Sequence, residues 1–303
     1  MKKVAVVIVN WNGKSNTLEC LRSLSVTAYP KPFDIIVVDN SSTDNSVSTI
    51  RRHFANVYLL PCRTNLGFSG ANNEGIRLAL RRSAEYIFIV NNDTLFASNT
   101  IVDLVQSMEC RSTCGIAGPK IYFAPGYEFH KQRYKQKEYG KVIWYAGGII
   151  DWANVAGFHR GVDEVDYGQY NKEEETDFVS GCAMMVKRSV FEKVGIFDER
   201  FYLYYEDLDF NIRTKKAGFS LIYVPSSILW HKNAGSSHSG SNLQDYYLTR
   251  NRLLFGFRYA KLSTKLSLLK ESVRLARVGR PWQKRGVVDA LVGRWGKGSY
   301  VKP

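Results

Sequence analysis

The first 120 residues alternate short runs of Val and Ile with stretches of helical period, and this alternation restricts the fold more than any other feature of the chain. Val4 to Val9, Phe33 to Val38, Val57 to Leu60 and Tyr86 to Val90 are apolar on both faces, the pattern of strands covered on both sides. Between them, Thr17 to Val26, Ser46 to Phe54 and Gly70 to Ser83 carry helical patterns. A βαβα rhythm predicts an α/β fold, a mainly parallel Rossmann-like sheet flanked by helices. Residues 123 to about 176 break the rhythm. They are polar and aromatic, with Gly147-Gly148 and His159-Arg160-Gly161, and are expected to lie over the site as loops or a small hairpin. Regular structure resumes near Asp177. Phe178 to Val186 contains Gly181, Ser189 to Val194 predicts a short helix, Glu206 to Ala217 a longer one, and Phe219 to Val224 a strand ended by Pro225. Trp230-His231-Lys232 follows, and then the flexible-looking run Gly235 to Gly240.

The residues after each strand say more than the strands do. Strand one ends in Asn10-Trp11-Asn12-Gly13, strand two in Asp39-Asn40-Ser41-Ser42, and the Tyr86 strand in Asn91-Asn92-Asp93; the Val57 strand leads to Asn65-Leu66-Gly67-Phe68-Ser69-Gly70. Each cluster alone could be turn and capping chemistry, Ser42 and Asp44 included. Ligands of open α/β sheets bind outside the carboxyl ends of the strands, where all four clusters converge. A dinucleotide fingerprint of spaced glycines directly after strand one is missing, which argues against NAD. Asp39 is instead the handle for a nucleotide, able to accept from a base N–H or a ribose hydroxyl. Asp93 is the metal-ligand candidate, because a hard divalent cation held by one or two carboxylates keeps positions for water and phosphates.

Glu206, Asp207 and Asp209 crowd three carboxylates among Phe201, Tyr202, Tyr204, Tyr205 and Phe210. Carboxylates cost most to ionise where water is scarce, so such a cluster has a proton, a metal or a substrate hydroxyl to handle. A helix start explains part of it, with Asp209 paired to Arg213 one turn on. It leaves the rings around Asp207 unexplained.

The five cysteines, Cys20, Cys62, Cys110, Cys114 and Cys182, are scattered and odd in number, which fits a reducing cytosol better than a disulfide framework. After Met1-Lys2-Lys3 the apolar run is only six residues, short for a signal peptide, and no stretch approaches the roughly 20 apolar residues that span a bilayer. The net charge of +14 is concentrated at one end: residues 251–303 hold 13 Lys and Arg against Glu271 and Asp289. Within that tail Phe255, Tyr259, Leu262, Leu266, Leu269, Val273 and Ala276 form one stripe of a helix. A basic amphipathic helix can lie on an anionic membrane, bind nucleic acid, or pack its stripe on the main domain. Nucleic acid is disfavoured, since neither an RNA-binding sheet pattern nor zinc-finger spacing is present.

The motifs Val-Asn-Trp-Asn-Gly (9–13), Val-Val-Asp-Asn-Ser-Ser-Thr-Asp (37–44), Asn-Leu-Gly-Phe (65–68), Asn91-Asn92-Asp93 and Phe197-Asp198-Glu199 with Glu206-Asp207-Leu208-Asp209 together resemble family 2 glycosyltransferases of the GT-A fold, in their rhamnosyltransferase-like branch. The resemblance implies an inverting enzyme that moves a sugar, rhamnose among the candidates, from a UDP- or dTDP-linked donor to a hydroxyl of a glycan or polyprenyl-diphosphate-linked acceptor. It implies Mg²⁺ or Mn²⁺ on the donor diphosphate, held by Asp93 and His231, with Asn91 replacing the first Asp of the Asp-x-Asp motif. Asp207 matches the catalytic base. Asn10, Asn12, Asp39, Ser41, Asn65, Gly70 and Asn92 form the nucleotide-sugar-binding set, and Gly181, Glu206 and Arg250 are candidates for acceptor or diphosphate contact. Arg250 could equally be a surface charge at a helix end, and His231 a hydrogen-bonded surface histidine. The expected division is a GT-A domain over 1–250, its nucleotide-sugar half 1–122 and acceptor half 123–250, with a basic helical tail at 251–303. Such an enzyme is expected in the cytoplasm, at the inner face of the membrane. A nucleotidyltransferase would need a glycine-rich basic loop after strand one, for which Asn12-Gly13-Lys14 is thin evidence. A catalytically silent membrane-surface module would be expected to lack Asp39, Asp93 and Asp207.

Overall fold

The computed structural model describes residues 2–233 and 240–301. The run Gly235 to Gly240 therefore lies, except for Gly240, outside the described residues. Strands β1 (Val4–Asn10), β2 (Asp34–Asp39), β3 (Val57–Pro61) and β4 (Tyr86–Asn91) are parallel in the order β3-β2-β1-β4, joined by α1 (Lys14–Ser25), α2 (Ser46–His53) and α3 (Gly67–Arg81). Both α1 and α3 begin earlier than their local sequence predicts, because distant groups cap their first turns. Asp44 accepts from the Lys14 amide at 2.9 Å, and the carbonyl of Tyr202 accepts from the amides of Phe68 and Ser69.

The chain continues through β5 (Thr94–Phe96), α4 (Thr100–Glu109) and β6 (Cys114–Phe123), three elements that the sequence patterns left unassigned. The insert holds β7 (Ile143–Tyr145), an antiparallel hairpin of β8 (Gly148–Asp151) and β9 (Ala156–His159), and the two-residue β10 (Glu174–Glu175), in keeping with a small hairpin. Then come β11 (Ala183–Lys187), α5 (Arg188–Val194), α6 (Glu206–Lys216) and β12 (Ser220–His231). β11 enters antiparallel between β4 and β6, so the sheet is mixed, running β10-β12-β6-β11-β4-β1-β2-β3. Alternate residues of its strands fill two cores: Val6, Ile8 and Phe88 on one face, Val7, Ile87 and Ile89 on the other.

Pro225 does not end the last strand. The β6–β12 register shifts between Val224 and Ile228, and pairing then resumes to His231. A proline is tolerated at such a bulge because no ladder hydrogen bond is asked of it. The extension pairs antiparallel with β5, setting His231 opposite Thr94.

The tail forms α7 (Asn242–Tyr259), α8 (Leu262–Val278) and α9 (Pro281–Leu291). The expected boundary at 250/251 falls inside α7. The single stripe is also interrupted, because the chain breaks helix at Ala260-Lys261. Phe255 is buried, whereas Leu262, Leu266, Leu269 and Val273 are exposed, and α8 seats Thr264, Leu268 and Ser272 instead. The two helices meet closely at Gly256, where a Cβ would fall 2.3 Å from Leu268 Cδ1.

Candidate active site

Parallel pairing aligns the carboxyl ends of β1, β2 and β4, with Asn10 opposite Asp39 and Val9 opposite Asn91. Asn10, fully buried, is the hub of this edge. Its amide donates to Asp39 Oδ2 at 2.7 Å and to the Ser42 hydroxyl at 3.1 Å, while its oxygen accepts from Thr17, Asn92 and Gly13. Asp39 also accepts from the Ser42 amide at 2.9 Å. Asn10 thus positions the loops. Asn12, exposed and at φ 50°, donates its amide to Ser42 and accepts from Thr43. Ser41 is partly exposed at φ 67°, and Asn92 donates to Thr17 at 2.9 Å. Asn65 accepts from Asn40, Gly67 and Tyr202, and Gly70 is buried where a Cβ would fall 2.9 Å from Leu66. Sequence reasoning missed Thr17, Asn40 and Ser42 as the ties among these loops; Asn40, buried, also latches the Leu66 amide and the Gly67 carbonyl.

The β5–β12 pairing brings Asp93 Oδ1 within 3.1 Å of His231 Nε2, both nearly buried. Trp144 lies edge-on to the imidazole at 4.5 Å between ring centroids. Burial alone would lower the His231 pKa, but the neighbouring Cys182 and Asp93 raise it to about 10. His231 is thus a buried histidine, and its Nδ1 has no partner among the described residues. One carboxylate and one imidazole would fit Mg²⁺ or Mn²⁺ as two protein ligands once His231 gives up the proton that Asp93 and Cys182 hold on it, with diphosphate oxygens and water completing the shell. Among the described residues no cluster of three or more metal-ligating side chains exists.

Asp207 stands near the start of α6. Its Oδ2 accepts from the Gly181 amide at 2.9 Å and its Oδ1 from its neighbour Leu208 at 2.8 Å. Gly181 thereby orients Asp207, and a Cβ there would fall 3.3 Å from Asp207 Cβ and from Phe68 Cζ and 3.4 Å from Asp207 Oδ2. Burial pushes the Asp207 carboxyl above the usual range, against the pull of these amides. Asp207 lines a cavity of about 710 Å³ together with His159, Phe178, Tyr204 and Glu206. Asp209 has the structural role: fully buried, it pairs with Arg213 at 2.8 Å and accepts from Tyr259, with Arg258 alongside.

Glu206 is buried, and its Oε2 has no partner among the described residues. Desolvation, and then the charge of Asp207, raises its carboxyl well above the ordinary range. A raised carboxyl contributes stability in full below the unfolded pKa of about 4.3 and loses it as pH climbs through the folded value. Glu206→Gln removes that loss. The variant is therefore expected to gain melting temperature over the parent progressively from pH 5 to pH 9 by scanning fluorimetry. A pH-independent difference would mean that Glu206 titrates normally.

The turn before α6 explains the aromatic crowd. Tyr202, Tyr204 and Tyr205 all have positive φ, 65°, 69° and 73°, which non-glycine residues adopt only when their surroundings enforce it. Asn251 supplies much of that enforcement, its amide donating to the carbonyls of Phe201, Leu203 and Tyr204 at 2.8 Å each. Arg250 supplies the rest. It is fully buried and donates to the carbonyls of Arg200, Phe201 and Gly296, so neither the diphosphate contact nor the surface charge expected of it holds. Its other N–H groups go to Asn251 Oδ1 at 2.9 Å and to the Tyr246 hydroxyl at 3.5 Å, so all five donors are spent and none is left for a substrate. Nothing in the sequence pairs residues 250 and 251 with a turn nearly 50 positions earlier.

The model of the family described as glycosyl transferase family 2 matches residues 5–195. An N-acetylglucosaminyl-diphospho-decaprenol L-rhamnosyltransferase of Mycobacterium tuberculosis is 29% identical over 244 residues, covering 77% of this chain and 76% of its own length. A low-salt glycan biosynthesis hexosyltransferase of Haloferax volcanii is 23% identical over 255 residues, covering 83% and 74%. Among solved structures, a mannosyltransferase from Pyrobaculum calidifontis in complex with GDP-Man and Mn²⁺ superposes with a TM-score of 0.56 at 17% identity, over 99% of this chain and 76% of that one. Residues 1–349 of TarS from S. aureus, in complex with UDP-GlcNAc, give 0.58 at 14% identity, over 95% and 79%. With the strand-end clusters and the helix-start carboxylates on a GT-A fold, and a family match over more than half its length, this chain belongs to glycosyl transferase family 2.

Proposed function

We propose that the protein is a metal-dependent inverting glycosyltransferase. It moves a sugar, with rhamnose the leading candidate, from a UDP- or dTDP-linked donor to a hydroxyl of a glycan on a polyprenyl diphosphate lipid, at the inner face of the membrane. The observation that carries this reading is Asp207, held by the Gly181 amide, raised in pKa by burial, and open to the large cavity. A partly desolvated carboxylate with a raised pKa is a stronger base than one in water. In this reading Asp207 takes the proton from the acceptor hydroxyl as that oxygen bonds to the anomeric carbon. The bond from that carbon to the diphosphate oxygen breaks on the opposite face, so the configuration inverts. Asp93 and His231 would hold a divalent cation, which supplies Lewis-acid neutralisation of the leaving diphosphate. Asp39 and the loops tied by Asn10 bind the nucleoside. The rhamnosyltransferase and hexosyltransferase relatives support the sugar class, and the decaprenol-linked acceptor in the name of the Mycobacterium relative supports a lipid-linked one.

Scanning fluorimetry against UDP, dTDP, GDP, CDP and NAD, each with and without Mn²⁺, tests the donor half of this reading. A nucleoside diphosphate present at a hundred times its dissociation constant should raise the melting temperature by on the order of 5 °C, and only with the metal. A shift with NAD alone, or no shift in a folded sample, would remove the support for a nucleotide-sugar donor.

A further inference from the structure

Helix α8 exposes the side that soluble helices normally hide. Leu262, Leu266, Leu269 and Val273 are 72%, 52%, 42% and 53% exposed, and at 3.6 residues per turn they share one narrow stripe. Lys265 flanks this stripe on one side, and Lys270 and Arg277 on the other. The buried face, Thr264, Leu268 and Ser272, is turned well away from it. Of the tail's two acids, Asp289 is fully buried beneath Tyr246, and Glu271 is turned to Arg252 at 2.9 Å and to Arg274 at 3.9 Å.

We propose that this outward face of α8 is a docking surface for an anionic lipid bilayer, with the stripe seated among the acyl chains and the flanking cations on the headgroups. Charge selects this occupant. A cation-only rim around an apolar stripe complements a negatively charged interface. A second copy would bring the same cations together, and like charges repel. No described helix is long and apolar enough to cross a membrane.

The inner edge of the same helix says what docking achieves. Leu268, Glu271, Ser272, Arg274 and Leu275 line the cavity that contains Asp207. A docked α8 therefore sets the cavity mouth at the headgroups, where a lipid-linked acceptor would present its sugar. This second half rests on the proposed function; the lipid contact itself does not.

The test is co-sedimentation of the full chain with phosphatidylcholine vesicles, with and without phosphatidylglycerol. Binding is expected only to the anionic vesicles, and high salt should weaken it. The paired variant Leu266→Glu/Val273→Glu should bind about tenfold more weakly, and Lys265→Glu/Lys270→Glu should do the same through charge alone. Leu266, Val273 and Lys270 are exposed and Lys265 is partly so, and an unchanged melting temperature checks folding. Absence of binding, equal binding to neutral vesicles, or undiminished binding by both variants would overturn the proposal. So would concentration-dependent dimerisation abolished by Leu266→Glu, which would assign the stripe to a second copy. The nucleoside diphosphate shift is measured in parallel: vesicle binding without that shift would sink the transferase reading and leave the docking surface standing, and the reverse result would do the opposite.

Discussion

Asp207→Asn is expected to lower sugar transfer by roughly 10²–10⁴-fold, the usual contribution of a positioned general base, while the protein still folds and still shows its donor-dependent thermal shift. The substituted amide keeps an oxygen for only one of the Gly181 and Leu208 amides, which Asp207 accepts with separate oxygens, so a small local adjustment and the loss of one hydrogen bond are expected. It also removes a charge that burial disfavours, which offsets part of that loss. In the parent enzyme the acid limb of the pH profile follows from the same burial. The base must be ionised to act, and its pKa is raised, so kcat/KM should fall at a pH above the ordinary aspartate value of about 3.9. Initial rates with the donor identified by fluorimetry, over a pH series, check both points. Transfer by Asp207→Asn at the parent rate would sink the assignment.

Arg250→Met should be strongly destabilising. The arginine's neighbours are the carbonyls of Arg200, Phe201 and Gly296 and the rings of Tyr246 and Tyr247, whose centroids lie 5.3 and 5.0 Å from its guanidinium carbon. Methionine fills similar space but leaves buried carbonyls without donors, each costing about 1–3 kcal/mol. A combined loss of about 3–5 kcal/mol corresponds to a fall in melting temperature on the order of 10 °C. Arg250→Lys should recover little, since one ammonium cannot reproduce a planar fork aimed at separate carbonyls. The effect should reach chemistry as well. With the positive-φ turn relaxed, Asp207 loses its placement, so kcat should fall at temperatures where the variant is fully folded, while the donor-dependent shift persists. Full kcat in the folded variant would restrict Arg250 to stability.

The sequence showed the parallel half of the sheet and the position of its polar edge, because a doubly covered strand must be apolar on both faces and its end must turn. Asp207 stood out for a related reason: carboxylates among rings contradict ordinary burial, and such contradictions gather at sites. The same local logic misled it about Pro225, where a bulge let β12 continue, and about Arg250, whose carbonyl partners Arg200 and Phe201 lie far upstream. It also drew one amphipathic stripe from Phe255 to Ala276, where the chain instead breaks helix and turns two faces in different directions.

Interactions between residues a few positions apart were therefore legible from the start: strands, helices, the clusters that end them, and the concentration of charge in the tail. Relations between residues far apart in the chain were decided only by tertiary structure. It brought His231 to Asp93, gave Glu206 a buried carboxyl oxygen without a partner among the described residues, tied the tyrosine turn to Arg250 and Asn251, and left the α8 stripe facing outward. The physical reason is that periodicity records which face of an element is apolar, whereas which surface meets that face is settled only when the whole chain has packed.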